Sequence, residues 1–171
     1  RSICICWRVR RWGGSGEHGN SPKSETDRMN RDLRESLAKQ TLRIVEDRGY
    51  ASPVGTHVDL SDAIRRCIEG TRLYEVEDAV RLRGEQRRLH GADLDAKMDV
   101  VNETTLAGLA ALLGEDDSPV GVLNFASAKN PGGGFLGGSQ AQEESLARSS
   151  ALYASLVRAE AFYRRHRASP S

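Results

Sequence analysis

Between Asn130 and Ser139 the chain reads Asn-Pro-Gly-Gly-Gly-Phe-Leu-Gly-Gly-Ser, and no other stretch constrains its fold as tightly. Five of the seven residues from Gly132 to Gly138 are glycine. At a background near 7% Gly, three in succession arise by chance at roughly 3 in 10,000 positions. Such a run marks backbone that must take positive φ or lie bare against a ligand. Before it, Val120, Val122, Leu123, Phe125 and Ala126 form a short apolar run, which predicts a strand buried on both faces. Pro131 ends that strand, because it has no N–H for a ladder and pushes Asn130 out of helical conformation. After the glycines, Ser139 and Gln142 have capping-box spacing. The helix they predict carries Glu143 and Glu144 in its first turns and Leu146, Tyr153 and Leu156 on an inner face. A strand feeding a glycine loop and a helix N-terminus is a place to hold phosphate, since bare N–H groups and the positive end of the helix dipole converge there.

The rest of the chain supplies a domain around this unit. With 171 residues it is long enough for one domain with a core. Residues 1–25 read as a disordered or non-native tail, ending in a Gly, Ser and polar segment. A helix capped by Thr26 is expected over Asp27–Asp47, with Met29, Leu33, Leu37 and Ile44 near helical spacing and Gly49 as its stop. Tyr50 to His57 reads as a loop. Ser61 caps a second helix bearing Ala63, Ile64, Cys67 and Ile68, ended by Gly70. Arg72–Val76 reads as a short strand, and Glu77–His90 as a charged, weakly helical segment. Its Arg81, Arg83, Arg87 and Arg88 suggest either a phosphate patch or a solvated helix face, and the second is favoured. Lys97–Val101 alternates as a strand does, and Thr104 caps a helix through Leu106, Leu109, Leu112 and Leu113. Strand, helix, strand then implies a parallel pair joined by a crossover.

Composition narrows the function classes. A net charge of +1 gives no electrostatic argument for nucleic acid or a membrane surface, so no direct nucleic-acid binding is expected. No apolar stretch reaches spanning or signal-peptide length, which makes a cytoplasmic protein the default. Cys4, Cys6 and Cys67 are too few and too unevenly spaced for a disulfide framework, and no His stands at zinc-ligand spacing. A reducing compartment, no metal and no cofactor are the expectation.

Three chemistries compete for the loop. A P-loop closes on Gly-Lys-Ser/Thr, whereas this run closes on Gly138-Ser139. Gly132-x-Gly134-x-x-Gly137 fits the dinucleotide fingerprint literally. The acid that fingerprint needs about twenty residues on, at the end of a second strand, falls within a predicted helix near Glu160. The third reading joins loop and carboxylates: a loop around a pyrophosphate leaves Glu143 and Glu144 beside the attached sugar, where a carboxylic acid protonates a glycosidic oxygen as its bond breaks. Acids in a first turn also merely complement a helix dipole, but behind five glycines that is the weaker account.

The segment NFASAKNPGGGFLGGSQAQEESLARSSALY, with its GGG and its Gln142-Glu143-Glu144, resembles the signature of the microbial-type poly(ADP-ribose) glycohydrolases. TLRIVEDRGY (41–50) and VNETTL (101–106) are similar to that family too. The resemblance implies an α/β fold, a macrodomain-like mixed sheet flanked by helices, with residues 26–171 its N-terminal portion only. The family's second phosphate loop and ligand-stacking aromatic would lie beyond Ser171, which implies a poor enzyme from these residues alone. It implies cleavage of the ribose–ribose O-glycosidic bond of poly(ADP-ribose), releasing ADP-ribose, without metal. The alternatives are a non-catalytic ADP-ribose-binding module and a hydrolase of mono-ADP-ribosylated proteins. By the resemblance, Glu144 is the general acid/base and Glu143 its substrate-orienting neighbour. Asn130, Gly132, Gly133, Gly134, Gly137 and Gln142 are the substrate-binding set. The partner implied is poly(ADP-ribose) or an ADP-ribosylated protein, with no membrane.

Overall fold

The computed structural model describes residues 4–6, 31–90, 98–115 and 119–168. In chain order the elements are β1 (Cys4–Cys6), α1 (Arg31–Asp47), β2 (Gly49–Ala51), β3 (His57–Asp59), α2 (Ser61–Gly70), α3 (Val76–His90), α4 (Thr105–Glu115) and β4 (Gly121–Leu123). After the glycine loop come a 3₁₀ turn (Phe135–Gly137), α5 (Gln142–Arg148), α6 (Leu152–Leu156), a second 3₁₀ turn (Val157–Ala159) and α7 (Glu160–Ala168). Within the tail read at 1–25, only Cys4–Cys6 is described; it pairs antiparallel with β4, Ile5 opposite Val122. Thr26 and Met29 lie outside the described residues, as does Lys97.

Several elements differ from their sequence expectations. Tyr50–His57 belongs to a β2–β3 hairpin with Tyr50 opposite Val58, not to a plain loop. Ser52 holds its turn, its carbonyl accepting from Gly55 N–H at 2.9 Å. Ser61 opens α2 but does not cap it; its own N–H is held by Asp59 Oδ1 at 2.9 Å. Arg72–Glu75 is irregular, because Val76 begins α3 and Glu75 N–H is taken by Asp78 Oδ2 at 3.1 Å. Met98 to Val101 forms no strand, and its side chains are exposed. Alternation makes a strand only where another strand accepts the ladder, and both described strand pairs are antiparallel. Among the described residues the parallel pair with a crossover is therefore not formed. Thr104 does cap α4, its Oγ1 accepting from Ala107 N–H at 3.2 Å. The arginines of α3 follow the solvated-face reading at Arg81, which is exposed and pairs with Asp78 and Glu85.

The central strand is shorter than its apolar run. β4 spans Gly121–Leu123, Val122 is half-buried, and Phe125 is 70% exposed. Among the described residues β4 has one neighbour, β1, so burial on both faces is not reached.

The helix after the loop is also broken. Ser150 Oγ donates to Leu146 O at 2.7 Å and accepts from Leu152 N–H at 3.2 Å. A serine hydroxyl that engages the backbone in this way competes with helical bonding, and α6 restarts at Leu152. The break lets α5 be packed on two sides. Leu146 joins Leu152, Leu156 and Tyr163 in one core cluster, against which Leu106 of α4 and Val122 of β4 pack. Ala147 joins Ala38 of α1 and Phe135 in a second. On α1, fully buried Ala38 makes the close contact, while Leu33 is 48% exposed. Thr41 Oγ1 donates to Arg148 O at 2.5 Å, and Thr71 and Ser155 share a 2.6 Å hydroxyl pair that joins α2 to α6. Among the described residues no helix is long and apolar enough to cross a membrane.

Candidate active site

The glycine loop is a set of overlapping turns pinned at one aromatic. Gly133 N–H donates to Asn130 O, Phe135 N–H to Gly132 O, and Gly137 N–H to Gly134 O, at 3.0 to 3.2 Å. Gly132 and Gly133 have φ of 72° and 59°, the left-handed region that favours glycine. Phe135 is 1% exposed, and its ring lies 5.0 Å from that of Tyr153. Cations hold the far side of the loop. Arg31 Nε donates to Gly137 O at 2.8 Å, Arg34 Nε to Gly138 O at 2.6 Å and Arg148 to Ser139 O at 2.6 Å.

Ser139 is not the helix cap that its spacing with Gln142 suggests. α5 starts at Gln142 after Ala141, and no side chain caps it. Ser139 stays in the loop, its N–H bonded to Gly134 O at 3.1 Å. Gln142 turns to the strand instead. Its Nε2 donates to Leu123 O at 2.8 Å and Thr105 Oγ1 at 3.2 Å, and its Oε1 accepts from Phe125 N–H at 2.7 Å.

The two glutamates take the next positions on α5. Successive helical residues point about 100° apart, so Glu143 and Glu144 meet different parts of the loop. Glu143 is 3% exposed and accepts from Ser127 N–H at 2.6 Å and Gly132 N–H at 3.0 Å. Glu144, half-buried, accepts from Gly134 N–H at 3.1 Å. Gly133 passes between them, with no room for a side chain. A Cβ there would collide with Glu144 Oε1 and stand 3.3 Å from Glu143 Oε2.

The loop's N–H groups are thus not bare. Those of Gly132 and Gly134 serve the chain's own carboxylates, and those of Gly133, Phe135, Gly137, Gly138 and Ser139 serve its own carbonyls. What the sequence suggests as a phosphate cradle is, in this arrangement, a cradle for two carboxylates.

Burial pushes the Glu143 carboxyl above its ordinary range, against the pull of the Ser127 and Gly132 N–H groups, and the charge of Glu144 adds to the upward push. Behind it, Asn124 is 3% exposed, and its amide atoms lie outside hydrogen-bond geometry yet near enough to Glu143 to pull its carboxyl slightly downward. Tyr163 is fully buried with its hydroxyl likewise unbonded, and burial, then the Glu143 charge, raises its pKa. Arg148 is 8% exposed, and burial, then the neighbouring Arg34, lowers its pKa.

Of the residues read from sequence, Gly132, Gly133 and Gly134 gather around Glu143 and Glu144. Asn130 lies exposed at the loop entrance, its N–H on Ser127 Oγ at 3.1 Å. Gly137 faces Arg31 rather than the glutamates. Sequence reasoning missed Ser127, Asn124, Tyr163, Arg31, Arg34 and Arg148. Arg31 and Arg34 act on carbonyls more than a hundred residues away, and no local spacing announces that.

No curated protein matches the chain. The crystal structure of poly(ADP-ribose) glycohydrolase (PARG) from Thermomonospora curvata matches with a TM-score of 0.70 and 40% identity, over 80% of this chain and 49% of that one. The same protein bound to the inhibitor ADP-HPD matches with a TM-score of 0.67 and 40% identity, over 80% and 48%. A glutamate-to-alanine mutant of it gives 0.67 and 39%, again over 80% and 48%. The chain spans about half the length of these structures. Over that half it has their mixed α/β, macrodomain-like fold, a small sheet flanked by helices. The family model for the microbial-type PARG catalytic domain matches residues 38–171, and the chain belongs to that family.

Proposed function

We propose that the protein carrying this segment is a poly(ADP-ribose) glycohydrolase, cutting the ribose–ribose O-glycosidic bond and releasing ADP-ribose. One observation carries the proposal: two adjacent glutamates are fixed on the N–H groups of a glycine loop, Glu143 on Gly132 and Glu144 on Gly134, in a member of this family. The substrate is poly(ADP-ribose) or an ADP-ribosylated protein, and the compartment the cytoplasm, which the free, buried thiol of Cys67 fits.

Glu144, the more accessible of the two, is the general acid/base. Its carboxylic acid gives a proton to the bridging oxygen while the bond from that oxygen to the anomeric carbon breaks. The positive charge on the sugar is met by water, and the Glu144 carboxylate takes the proton that water releases. Glu143 is too enclosed for that exchange. It holds the sugar's orientation and the loop's shape, with Asn130 and Gly132 to Gly134 beside the substrate.

The test is Glu144→Gln in a full-length protein carrying the segment. ADP-ribose affinity stays within about twofold, while release from polymer falls about 100-fold or more, the scale of a lost general acid. Unchanged release would remove Glu144 from the chemistry. Binding without release in the wild type would make the protein an ADP-ribose-binding module. Comparison of polymer with mono-modified protein fixes the substrate.

A further inference from the structure

We propose that Gln142 is a positioning residue: its carboxamide locks the start of α5 to the end of β4, and so sets where the Glu143 and Glu144 carboxylates stand. The proposal rests on the glycohydrolase reading for its kinetic consequences and on geometry for its structural ones.

Leu123 O and Phe125 N–H flank Asn124 on one edge of the chain, the two groups that a neighbouring strand would take in a ladder. Gln142 takes both, accepting from Phe125 at 2.7 Å and donating to Leu123 at 2.8 Å. Its carboxamide takes the place that a peptide unit of a neighbouring strand would have. The second proton of Nε2 goes to Thr105 Oγ1 at 3.2 Å, which adds α4 to the junction.

The side-chain chemistry is specific. Asparagine is one methylene shorter and glutamate has no N–H to give, so only glutamine fills this set. Both donors are committed, which leaves one lone pair on Oε1 for any substrate.

The junction matters because no side chain among the described residues caps α5. Ala141 offers no side-chain bond to the first turn. Gln142 is the first helical residue, and Glu143 and Glu144 follow at fixed angular steps. A rotation or slide of α5 at Gln142 moves both carboxylates off Ser127, Gly132 and Gly134 N–H. Misplacement of about 1 Å costs on the order of 100-fold in rate.

The experiment compares Gln142→Ala and the near-isosteric Gln142→Glu with wild type. On the whole 171-residue chain, ¹⁵N NMR follows the amides of Ser127, Gly132 and Gly134, and titration of a full-length protein carrying the segment gives the ADP-ribose affinity. In a full-length protein carrying the segment, kcat and KM are measured for release of ADP-ribose from polymer. All three amides shift in both variants, kcat falls about 10- to 100-fold, and KM and affinity stay within about twofold. If Gln142→Ala does not fold, Gln142→Glu decides, since it keeps the acceptor for Phe125 N–H and replaces the two donors with a charged oxygen that Leu123 O repels. Amides that stay at their wild-type positions overturn the proposal. So does a weakened affinity at unchanged kcat, which would make Gln142 a substrate contact. If the wild type releases no ADP-ribose, the glycohydrolase reading falls, and the three amides alone settle the role of Gln142.

Discussion

A side chain on Gly133 cannot coexist with Glu144 where it stands: a Cβ there would lie 2.9 Å from the Glu144 carboxyl carbon. The tight contact explains why the loop has a bare residue at this point, and it couples backbone conformation to the position of the proposed acid. Gly133 also has φ of 59°, which L side chains rarely adopt.

Gly133→Ala is therefore expected to cost about 1–2 kcal/mol from the left-handed backbone alone, and to push the Glu144 carboxylate off Gly134 N–H. If the proposed activity holds, release of ADP-ribose by a full-length protein carrying the segment is expected to fall more than stability does. Gly133→Val, bulkier and β-branched, is expected also to block ADP-ribose in a full-length protein carrying the segment. Thermal unfolding and ligand titration check both variants, and wild-type affinity in Gly133→Val would place the loop away from the ligand.

Phe135 anchors the loop in the cluster with Ala38 and Ala147. Phe135→Ala is expected to destabilise the chain by about 3–5 kcal/mol, the usual cost of emptying a buried aromatic site. Denaturant titration measures it. A loss below about 1 kcal/mol would mean that the cavity collapses or that the loop is held mainly by Arg31 and Arg34.

Glu143 gives the stability a pH signature. Its folded carboxyl is raised, chiefly by burial, so the folded state holds that proton more tightly than the unfolded state does. Its contribution is fully present below the unfolded pKa and is lost as pH rises through the raised value. Relative to Glu143→Gln, the wild type is expected to lose stability as pH rises from the ordinary glutamate range through the raised value of Glu143. Paired melting curves across that range test this, and a relative gain with rising pH would refute it.

Cys67 is expected to be inert in the folded chain. Burial pushes its thiol up to about 12, and Sγ lies 3.7 Å from Ala151 O. Only thiolate reacts with disulfide reagents at a useful rate. Peptide mapping after labelling at neutral pH should find Cys67 unmodified until denaturant is added; rapid native-state labelling would show that α2 and α6 separate readily.

Tested alone, the chain is expected to be a poor enzyme and to self-associate. Phe125 is 70% exposed and Leu123 46%, beside a strand with one neighbour among the described residues. Exposed apolar side chains at the edge of a sheet favour association. Sedimentation at increasing concentration tests the association, and thermal unfolding with ADP-ribose tests the site. A monomer with a cooperative transition that rises with ligand would overturn this expectation.

The local geometry at the centre of the candidate site was legible in the sequence. Five glycines followed by two glutamates on a helix specify a loop wound with positive φ and carboxylates beside it, because glycine and helix periodicity act over a few residues. The helices α1, α2 and α4 were legible for the same reason, to within a few residues at their ends. What the tertiary structure decided is the destination of each hydrogen bond. Ser139 and Gln142 have the spacing of a capping box, yet Gln142 bonds to Leu123, Phe125 and Thr105 because β4 and α4 pack against the start of α5. The glycine N–H groups, suited in isolation to phosphate, meet Glu143 and Glu144 because α5 folds back over the loop. Met98 to Val101 alternates correctly and still forms no strand, since a ladder needs a partner that local pattern does not supply. Periodicity and turn chemistry are local and can be read along the chain; hydrogen-bond partners and burial depend on which segments meet in space, and only the fold brings them together.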